Sequence, residues 1–530
     1  LKFFWFSLFT KRTVPSCRKV YQGIDNIRHM ALINTMLSTV YGKRLKAFDR
    51  FRRSPWEVQY EQFRLLMSYG AQTEYFQRYG MGAFGSVESF QHRLPVVGYD
   101  ELQADIERVR AGVPNVLWPG RTEWFAQSSG TTGDRSKYIP VTRESLRQCH
   151  FQGGRDVMTV FAYYNPQSKA FCGKTLTLGG SHRLDAMGGG AQSGDLSAIL
   201  IRNMPRWAKG LREPSTQVAL IPDFERKVEA ICRRCSRQRI TAFAGVPSWN
   251  LVLMNRLLEY TGTDSLLEVW PDLSLFIHGG VSFAPYREQY KRIIPSPQMK
   301  YMETYNASEG FFALQDNLST PDMLLMLDYG IFYEFLPTKE LHDPSKAVTL
   351  ADVETGVNYA MIISTNGGLW RYMIGDTVEF TSLAPYKIRI TGRTKSYINA
   401  FGEELIIDNA ERAVAAASAA TGAKVSDYTV APIFMEGRAK GGHEWLVEFA
   451  TPPSDAMLFA EVIDRTLQEV NSDYAAKRFK NSTLSAPKLV VARKGVFYRW
   501  MEQRQKLGGQ NKVPRLCNDR RFIDELLQIQ

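Results

Sequence analysis

The chain has 530 residues, of which 44% are hydrophobic and 23% are charged, a composition typical of a globular protein with at least two domains. Its formal net charge of +12 would suit a negatively charged partner, whether a nucleic acid, an anionic lipid or a polyanionic small molecule. No apolar run of about 18 residues occurs, which argues against a membrane-spanning helix, and six scattered cysteines favour a reducing, cytoplasmic location over a disulfide framework.

The first 29 residues concentrate positive charge, with six Lys or Arg against a single acid, Asp25. Their apolar stretch, residues 1–9, is short and is followed by two basic residues, which is not the order of a secretory signal. We expect translation to start at Met30, so that residues 1–29 are a mis-called upstream extension or disordered. A membrane-surface anchor is the alternative.

Residues 30–80 predict helices, because apolar residues such as Phe63, Leu66 and Met67 recur at helical spacing. From about residue 116 onward, short strand-like runs end at glycines and alternate with helical stretches. Three of these runs end before Gly179, Gly279 and Gly367. The alternation predicts an α/β fold with binding loops at the strand ends.

The pattern changes after a strand that ends near Arg393. Beyond it, the spacing of apolar residues predicts helices at about 407–420 and 455–471 and strands at 428–434, 444–449 and 488–492. We therefore predict a large, multi-sheet α/β N-terminal domain and a small α+β C-terminal domain. The predicted bounds are 30–391 for the large domain, 392–396 for a hinge and 397–530 for the small domain.

A run of hydroxyls and glycines marks the strongest candidate site. It consists of Ser128, Ser129, Gly130, Thr131, Thr132 and Gly133, and Arg135 and Lys137 follow it. Glycines let backbone N–H groups approach a phosphate, hydroxyls add donors and the two cations supply charge. Strand-like segments on both sides predict a phosphate-binding loop between two strands. It is not a Walker loop, because Lys137 does not open a helix; a polar surface turn is the alternative.

Two further motifs could contact a nucleotide. Gly279 and Gly280 follow a strand, where paired glycines would let a flat base lie against the backbone. Tyr305, Ser308 and Glu309 follow some twenty residues later, and they offer an aromatic face for a purine, a hydroxyl for a phosphate and a carboxylate for Mg²⁺. A common strand–glycine turn and a capped helix start are the respective alternatives.

Two residues nearer the C-terminus add a carboxylate and a cation. Asp376 follows a glycine at a strand turn, from which a carboxylate can hold both ribose hydroxyls. Lys512 lies in the segment Gln-Asn-Lys-Val-Pro-Arg, residues 510–515, and a flexible lysine suits charge neutralisation while a carboxylate attacks a phosphate. For Lys512 the alternative is a basic surface loop.

Taken in order, these motifs resemble those of the adenylate-forming enzymes, which activate carboxylic acids with ATP. The three residues between Gly133 and Lys137 make the chain similar to one branch, the auxin-responsive promoter family of acyl acid–amino acid amido synthetases. The motifs run from residue 128 to 515, and similarity in general pattern extends from Met30 to the end. The resemblance implies a large domain of the adenylate-forming type and a mobile small domain that swings about the hinge.

The resemblance also implies roles for individual residues, with ATP and Mg²⁺ as cofactors. Lys512, Arg135 and Lys137 would be catalytic, by offsetting phosphate charge, and Glu309 would hold the metal. The implied nucleotide-binding residues are Ser128, Ser129, Gly130, Thr131, Thr132, Gly133, Gly279, Gly280, Tyr305, Ser308, Asp376 and Arg393.

Three features lie outside this motif set. Met373 stands where the family usually has Arg, and Arg371 either compensates for it or is structural. The C-x-x-C pair Cys232 and Cys235 has no further ligands nearby in the sequence, so helical spacing explains it better than zinc. His278 is interpreted as a loop residue rather than a catalytic base.

The sequence therefore predicts an enzyme that adenylates a carboxylic acid and then transfers the acyl group to an amine, that of an amino acid. An acyl-CoA ligase, which shares the first step, is one alternative. A non-catalytic protein that binds a nucleotide or an acid is the other. The expected partners are the acid and the amine, without nucleic acid or membrane. Neither the identity of the acid nor the oligomeric state follows from the sequence.

Overall fold

The structure is a computed structural model that describes most of the chain from residue 42 onward. It describes residues 42 and 44–530, except for residues 83–84, 129–136, 179–184, 187–189, 220, 222, 281–282, 284–285, 395–396, 399, 401–402, 404, 435–440, 472–473, 476–477, 479–483, 505–511 and 518. The predictions about residues 1–29 and the start at Met30 lie outside the described residues.

The large domain is rich in strands. In chain order they are β1 (Trp124–Ser128), β2 (Lys137–Val141), β3 (Lys174–Thr177), β4 (Asp185–Ala186), β5 (Gln192–Gly194), β6 (Arg212–Glu213), β7 (Ile240–Gly245), β8 (Leu275–Gly279), β9 (Lys300–Ala307), β10 (Gly310–Leu314), β11 (Met323–Leu325), β12 (Ile331–Pro337), β13 (Val348–Thr349), β14 (Asn358–Thr365), β15 (Tyr372–Leu383) and β16 (Tyr386–Arg393).

Twelve of the described strands form one large sheet in the order β13-β12-β14-β15-β16-β11-β10-β9-β8-β7-β3-β6. The half from β6 to β9 is parallel, and the half from β9 to β13 is antiparallel. A second sheet has the order β2-β1-β5-β4. The β9–β10 hairpin is thus the junction between the two halves of the large sheet.

Helices cover the sheets of the large domain. They are α1 (residues 44–53), α2 (Pro55–Gly70), α3 (Glu74–Arg78), α4 (Val87–Arg93), α5 (Tyr99–Arg110), α6 (Phe151–Tyr164), α7 (Leu196–Asn203), α8 (Arg206–Lys209), α9 (Thr216–Ala219), α10 (Phe224–Cys235), α11 (Pro247–Thr261), α12 (Leu266–Val269) and α13 (Arg287–Ile293). Shorter turns of helix occur at Ser145–His150, Thr338–Glu340, Pro344–Lys346 and Leu350–Asp352. Proline opens α2, where a missing N–H costs no hydrogen bond, and the face with Phe63, Leu66 and Met67 is buried.

The C-terminal domain is smaller and of the α+β type. Its elements are β17 (Tyr397–Ile398), β18 (Leu405–Ile406), α14 (Ile407–Thr421), β19 (Lys424–Ile433), β20 (Gly442–Thr451), α15 (Ala456–Val470), β21 (Lys488–Ala492), α16 (Val496–Gln503) and α17 (Arg521–Ile529). Strands β19, β20 and β21 form one sheet, and Gly422 ends α14 in the left-handed conformation, with a φ of 67°.

Three apolar clusters account for most of the buried side chains. The first lies within the large domain and the third within the small domain. The second, which we call the seam core, joins residues of both domains; it includes Phe276, Tyr286 and Tyr290 of the large domain together with Trp500 and Val513 of the small domain. In this conformation the two domains therefore share buried apolar surface.

The fold agrees with the sequence-based expectation of a large α/β domain and a smaller α+β domain. The small-domain helices and strands predicted between residues 407 and 492 lie within a few residues of the observed ones. The glycine-rich stretch at 187–194 has the composition of a loop, but its end forms β5, which pairs with β1. The domain bounds and the hinge at 392–396 stay predictions, and residues 395–396 are outside the described part.

No helix within the described part of the chain combines the length and the apolar character needed to cross a membrane.

A substitution at Phe276 tests how much the seam core contributes to the stability of the fold. Its ring is fully buried and stacks on Phe243 with 4.2 Å between centroids. We expect Phe276→Ala to lower the free energy of unfolding by about 3–5 kcal/mol, because it removes a packed aromatic side chain. Urea unfolding followed by circular dichroism measures this. The exposed Tyr260 is the control, and a Tyr260→Ala loss as large as that of Phe276→Ala would contradict the assignment.

Candidate functional site

The phosphate-loop motif connects two paired strands. Ser128 at the end of β1 and Lys137 at the start of β2 are direct antiparallel partners, so the expected strand–loop–strand arrangement is confirmed at its two ends. The loop itself lies outside the described residues, and with it Ser129, Gly130, Thr131, Thr132, Gly133 and Arg135, as well as the side chain of Ser128.

Lys137, at the start of β2, lies near an aromatic residue of helix α5. Its Nζ lies 5.6 Å from the centroid of the Tyr99 ring, at the edge of cation–π range. The Tyr99 hydroxyl accepts a 2.8 Å hydrogen bond from the backbone N–H of Tyr138, which ties α5 to β2. The sequence gives no sign of Tyr99's role, because this residue precedes the motif by about thirty residues and belongs to no motif of its own.

The glycine pair after β8 is required by close contacts. A Cβ atom at Gly279 would lie 2.3 Å from the carbonyl oxygen of Thr304, so no larger residue fits without displacing β9. Gly280 has a φ of 81°, a left-handed conformation that favours glycine, and a Cβ there would lie 3.6 Å from the Nζ of Lys512. Backbone conformation therefore favours glycine at 280, and the Lys512 ammonium lies next to this glycine.

Tyr305, Asp376 and Arg393 form one hydrogen-bonded group. The Tyr305 hydroxyl donates to Oδ2 of Asp376 at 2.7 Å, and Nε of Arg393 donates to Oδ1 at 2.7 Å. Asp376 and Arg393 face each other across β15 and β16, so strand pairing itself creates the ion pair. Burial and then the Asp376 charge raise the pKa of Tyr305 well above its usual value, which keeps the phenol a neutral donor.

Glu309 follows Ser308 in the tight turn between β9 and β10. Ser308 is buried. Burial raises the pKa of Glu309, while its own backbone amide and the Lys137 cation act in the opposite direction. Glu309 thus lies within electrostatic range of Lys137, although the two residues are far apart in sequence.

Lys512 enters the same group from the small domain. Its side chain keeps an exposed surface at the seam, yet the surrounding protein lowers its pKa to about 8, first through desolvation and then through the charge of Arg393. Asp376 partly offsets this by favouring the ammonium. A lysine whose pKa lies this low is perturbed by its surroundings in the way typical of functional sites.

Arg371 does not compensate for Met373. It is buried and pairs with the buried carboxylate of Glu334 at 2.8 Å, while Nη1 donates to the carbonyl oxygens of Gln91 and Leu94, both at 2.6 Å. Its backbone adopts a φ of 43°, uncommon for a non-glycine residue and held by these bonds. Of the two roles left open by the sequence, the structural one is the role that this geometry supports.

Met373 and the other features outside the motif set have structural surroundings. Met373 packs against the small apolar cluster of Leu336, Ala360 and Ile362. The His278 ring stacks on Phe283 with 4.4 Å between centroids, and burial lowers its pKa to about 3, which keeps it neutral. Both Cys232 and Cys235 are buried in α10, where desolvation raises the thiol pKa values to about 11 and about 12.

The fold thus brings six of the sequence-predicted residues together from five separated segments. They are Lys137, Tyr305, Glu309, Asp376, Arg393 and Lys512, and Gly279 and Gly280 form one wall. The group has two carboxylates and three cations beside a phosphate-loop motif. Such a cleft suits a polyanion that also carries hydroxyls for a carboxylate to bind.

Three domain models of one family match the chain. The GH3 family N-terminal domain matches residues 44–299, the central domain matches residues 324–393 and the C-terminal domain matches residues 408–521. The three matches together span most of the chain.

Two named relatives are similar over nearly their full lengths. Indole-3-acetic acid-amido synthetase GH3.4 of Arabidopsis thaliana is 23% identical, over 93% of this chain and 94% of its own length. Jasmonoyl–L-amino acid synthetase JAR6 of Nicotiana attenuata is 22% identical, over 92% of this chain and 95% of its own length.

Solved structures share the fold. The GH3.15 acyl acid amido synthetase superposes with a TM-score of 0.76 at 18% identity, over 92% of this chain and 95% of its own. A 2-hydroxyisobutyryl-CoA ligase in its postadenylation state superposes with a TM-score of 0.56 at 14% identity, over 89% of this chain and 91% of its own.

Because Arg371 and Glu334 form a buried ion pair outside the group of site residues, we predict that loss of Arg371 lowers stability but does not weaken ATP binding. We expect Arg371→Leu to lower the free energy of unfolding by about 3–5 kcal/mol, because it leaves the Glu334 carboxylate buried and unpaired. For the exposed pair of Arg389 and Glu379, Arg389→Leu should cost no more than about 1 kcal/mol. Urea unfolding measures the free energy of unfolding of both variants. If the folded Arg371→Leu variant binds ATP more weakly than the wild-type protein, Arg371 contributes to the site after all.

Proposed function

The chain belongs to the GH3 family, and on that premise we propose that it activates a carboxylic acid with ATP and joins the acyl group to the amine of an amino acid. The observation that carries the proposal is the convergence of Asp376, Arg393 and Lys512 beside the glycine pair, in the same group as Glu309 and Lys137. The names of the relatives support an amide as the product, since both describe enzymes that join an acid to an amine or an amino acid.

ATP would lie along the carboxyl ends of β8 and β9. We assign the triphosphate to the phosphate loop, whose residues Ser128, Ser129, Gly130, Thr131, Thr132 and Gly133 supply N–H and hydroxyl donors. Arg135 and Lys137 offset the phosphate charge. Gly279, Gly280 and Tyr305 border the base, Ser308 reaches toward the α-phosphate, and Asp376, steadied by Arg393, accepts the ribose hydroxyls.

Glu309 fits a magnesium ion that is held mainly by phosphates. Mg²⁺ prefers oxygen ligands and is commonly held by one or two carboxylates together with substrate phosphates and water. Glu309 is a single carboxylate beside Lys137, and burial raises its pKa, so a bound cation would stabilise its charged form. When bound, the ion would neutralise triphosphate charge together with the chain's own cations.

The first half-reaction forms an acyl adenylate. A carboxylate oxygen of the acid attacks the α-phosphorus, the bond to the bridging oxygen of the β-phosphate breaks, and pyrophosphate leaves with the electron pair. Negative charge on the α-phosphate rises during this exchange. The Lys512 ammonium, held at the glycine pair and near Asp376 and Arg393, is the group that we assign to stabilise that charge.

The second half-reaction forms the amide. The neutral amine attacks the activated carbonyl, a proton leaves the nitrogen, and AMP departs with the electron pair of the acyl–oxygen bond. AMP is a good leaving group, so this step depends on orientation of the amine more than on a strong base. Transfer to coenzyme A would use the same adenylate, and the acyl-CoA ligase among the similar structures shares only the fold.

A hydroxamate assay tests the reaction class. We expect the protein with Mg²⁺, ATP, hydroxylamine and a panel of carboxylic acids to yield AMP, pyrophosphate and the hydroxamate of at least one acid. The panel should contain indole-3-acetic acid and jasmonic acid, which the relatives' names mention. It should also contain 2,4-DB, which is bound in a solved structure of GH3.15, and aryl and short-chain acids. Mass spectrometry identifies the products, and formation of ADP instead of AMP would overturn the mechanism.

Amide and thioester formation are separated by a second assay. The acid identified by its hydroxamate is incubated with a mixture of the twenty amino acids, or with coenzyme A, in place of hydroxylamine. An N-acyl amino acid is the expected product. A thioester formed at a higher rate than any amide would favour the acyl-CoA ligase alternative.

The pKa of Lys512 predicts an alkaline limit for adenylation. The ammonium is the active form, so it is present below its pKa of about 8 and is lost as the pH rises through that value. We expect kcat/KM for ATP–pyrophosphate exchange to fall above about pH 8, and Lys512→Ala to reduce kcat about 100-fold.

Lys512→Arg is the matched control for this pH dependence. Its guanidinium stays protonated throughout the accessible range, so the alkaline limit should disappear even where the rate is lower. An alkaline limit of the same midpoint in Lys512→Arg would show that a different group titrates.

A further inference from the structure

The segment that carries Lys512 is built into the sheet of the small domain. The carbonyl oxygen of Arg515 accepts a 2.8 Å hydrogen bond from the N–H of Val430, and the N–H of Cys517 donates to the carbonyl oxygen of Val430 at 3.1 Å. The hydroxyl of Thr429 donates to the carbonyl oxygen of Pro514 at 2.6 Å. Residues 514–517 therefore lie along β19 as a short additional strand, and Lys512 projects from its beginning.

The side chain of Arg515 leads from this segment to the large domain. Within the small domain its guanidinium pairs with Asp427, donates to the carbonyl oxygen of Tyr428 at 3.1 Å and lies 4.4 Å from the centroid of the Tyr428 ring. Its Nη2 also donates to the hydroxyl oxygen of Tyr286 at 3.2 Å. Arg515 is thus anchored in one domain and bonded to a residue of the other.

Tyr286 is well suited to receive this bond. It directly precedes α13, only 3% of its surface is exposed, and its ring belongs to the seam core. Desolvation raises the pKa of Tyr286, so the hydroxyl stays protonated and its oxygen accepts from the guanidinium. Because a hydrogen bond to a charged donor is stronger than a neutral one, the contact resists separation of the two domains.

Two contacts with the large domain thus flank the lysine. Lys512 Nζ lies beside Gly280, and Arg515, three residues later, bonds Tyr286, six residues after Gly280 along the chain. Val513 between them is buried in the seam core. Gly280 and Tyr286, which lie six residues apart between β8 and α13, therefore contact the segment that supplies the cation at both of these points.

We propose that Tyr286 is a positioning residue for Lys512, acting through its hydrogen bond to Arg515. This inference rests on the proposed function. The bond stabilises the domain arrangement in which the ammonium reaches the α-phosphate, so it promotes formation of the acyl adenylate. In the second step the amine attacks the acyl carbon and not the α-phosphorus at which Lys512 acts, so Tyr286 does not contribute to that step.

Tyr286→Phe tests the hydroxyl while keeping the ring in the seam core. We expect kcat for ATP–pyrophosphate exchange, measured with the acid identified by the hydroxamate assay, to fall roughly tenfold, which corresponds to about 1.4 kcal/mol in the barrier. KM for ATP should not change, because the nucleotide contacts remain. Release of AMP from synthetic acyl adenylate in the presence of the amine, followed in a single turnover, should proceed at the wild-type rate.

Tyr301→Phe is the matched control. Tyr301 also packs in the aromatic group around Phe283, and its buried hydroxyl has no hydrogen-bond partner among the described residues. Loss of that hydroxyl should leave the exchange rate unchanged. Thermal unfolding of both variants establishes that each is folded at the assay temperature.

A double-mutant cycle separates positioning from general stability. In the Lys512→Ala background, Tyr286→Phe should have no additional effect on exchange, because there is no ammonium left to position. The inference is overturned if Tyr286→Phe leaves exchange unchanged, slows both half-reactions equally, or multiplies its effect with that of Lys512→Ala.

Failure of the proposed function has a different signature. If the wild-type protein forms no adenylate from any acid of the panel, the function itself is wrong and the inference fails with it. If the wild-type protein is active and Lys512→Ala is as fast, the assignment of Lys512 fails. Only an active, Lys512-dependent enzyme that ignores Tyr286→Phe would reject the role of Tyr286 alone.

Discussion

The arrangement of the site depends on the two hydrogen bonds that the carboxylate of Asp376 accepts. One oxygen accepts a hydrogen bond from the hydroxyl of Tyr305, which lies in the β9–β10 hairpin. The other accepts a hydrogen bond from the guanidinium of Arg393 on the neighbouring strand. Arg393 lies at the end of the last strand before the small domain. A single carboxylate therefore links the hairpin of the large domain to the strand from which the chain continues into the small domain.

The two halves of the large sheet have different parts in building this cleft. The parallel half delivers strand ends and bare glycines, which leave backbone groups open to a ligand. The antiparallel half delivers opposed side chains, because directly facing residues on β15 and β16 are brought into contact. The β9–β10 hairpin, where the halves meet, contributes Tyr305 and Glu309. The small domain then adds a cation that neither half contains.

The alternation of strand-like and helical runs predicted the α/β class, the spacing of apolar residues predicted the small-domain elements, and the motifs predicted most of the residues that converge. Each of these depends on local sequence pattern. Contacts between distant segments were not predictable in the same way. Tyr99 lies under Lys137, and Tyr286 meets Arg515, through packing that no local pattern reports. The role of Arg371 was open for the same reason, since its partner Glu334 lies on a different strand. Likewise, β5 forms from a glycine-rich stretch only because β1 offers it a pairing edge.

The missing side chain at Gly280 has a consequence for how such a protein can change over generations. Positions 280 and 512 lie on different domains, yet a Cβ on the first would be in van der Waals contact with the amine of the second, 3.6 Å away. A larger residue at 280 would strain this left-handed backbone and would also place a side chain next to the cation that the other domain contributes. The effects of substitutions at the two positions should therefore depend on each other, although most of the small domain and part of the large one separate them in the sequence.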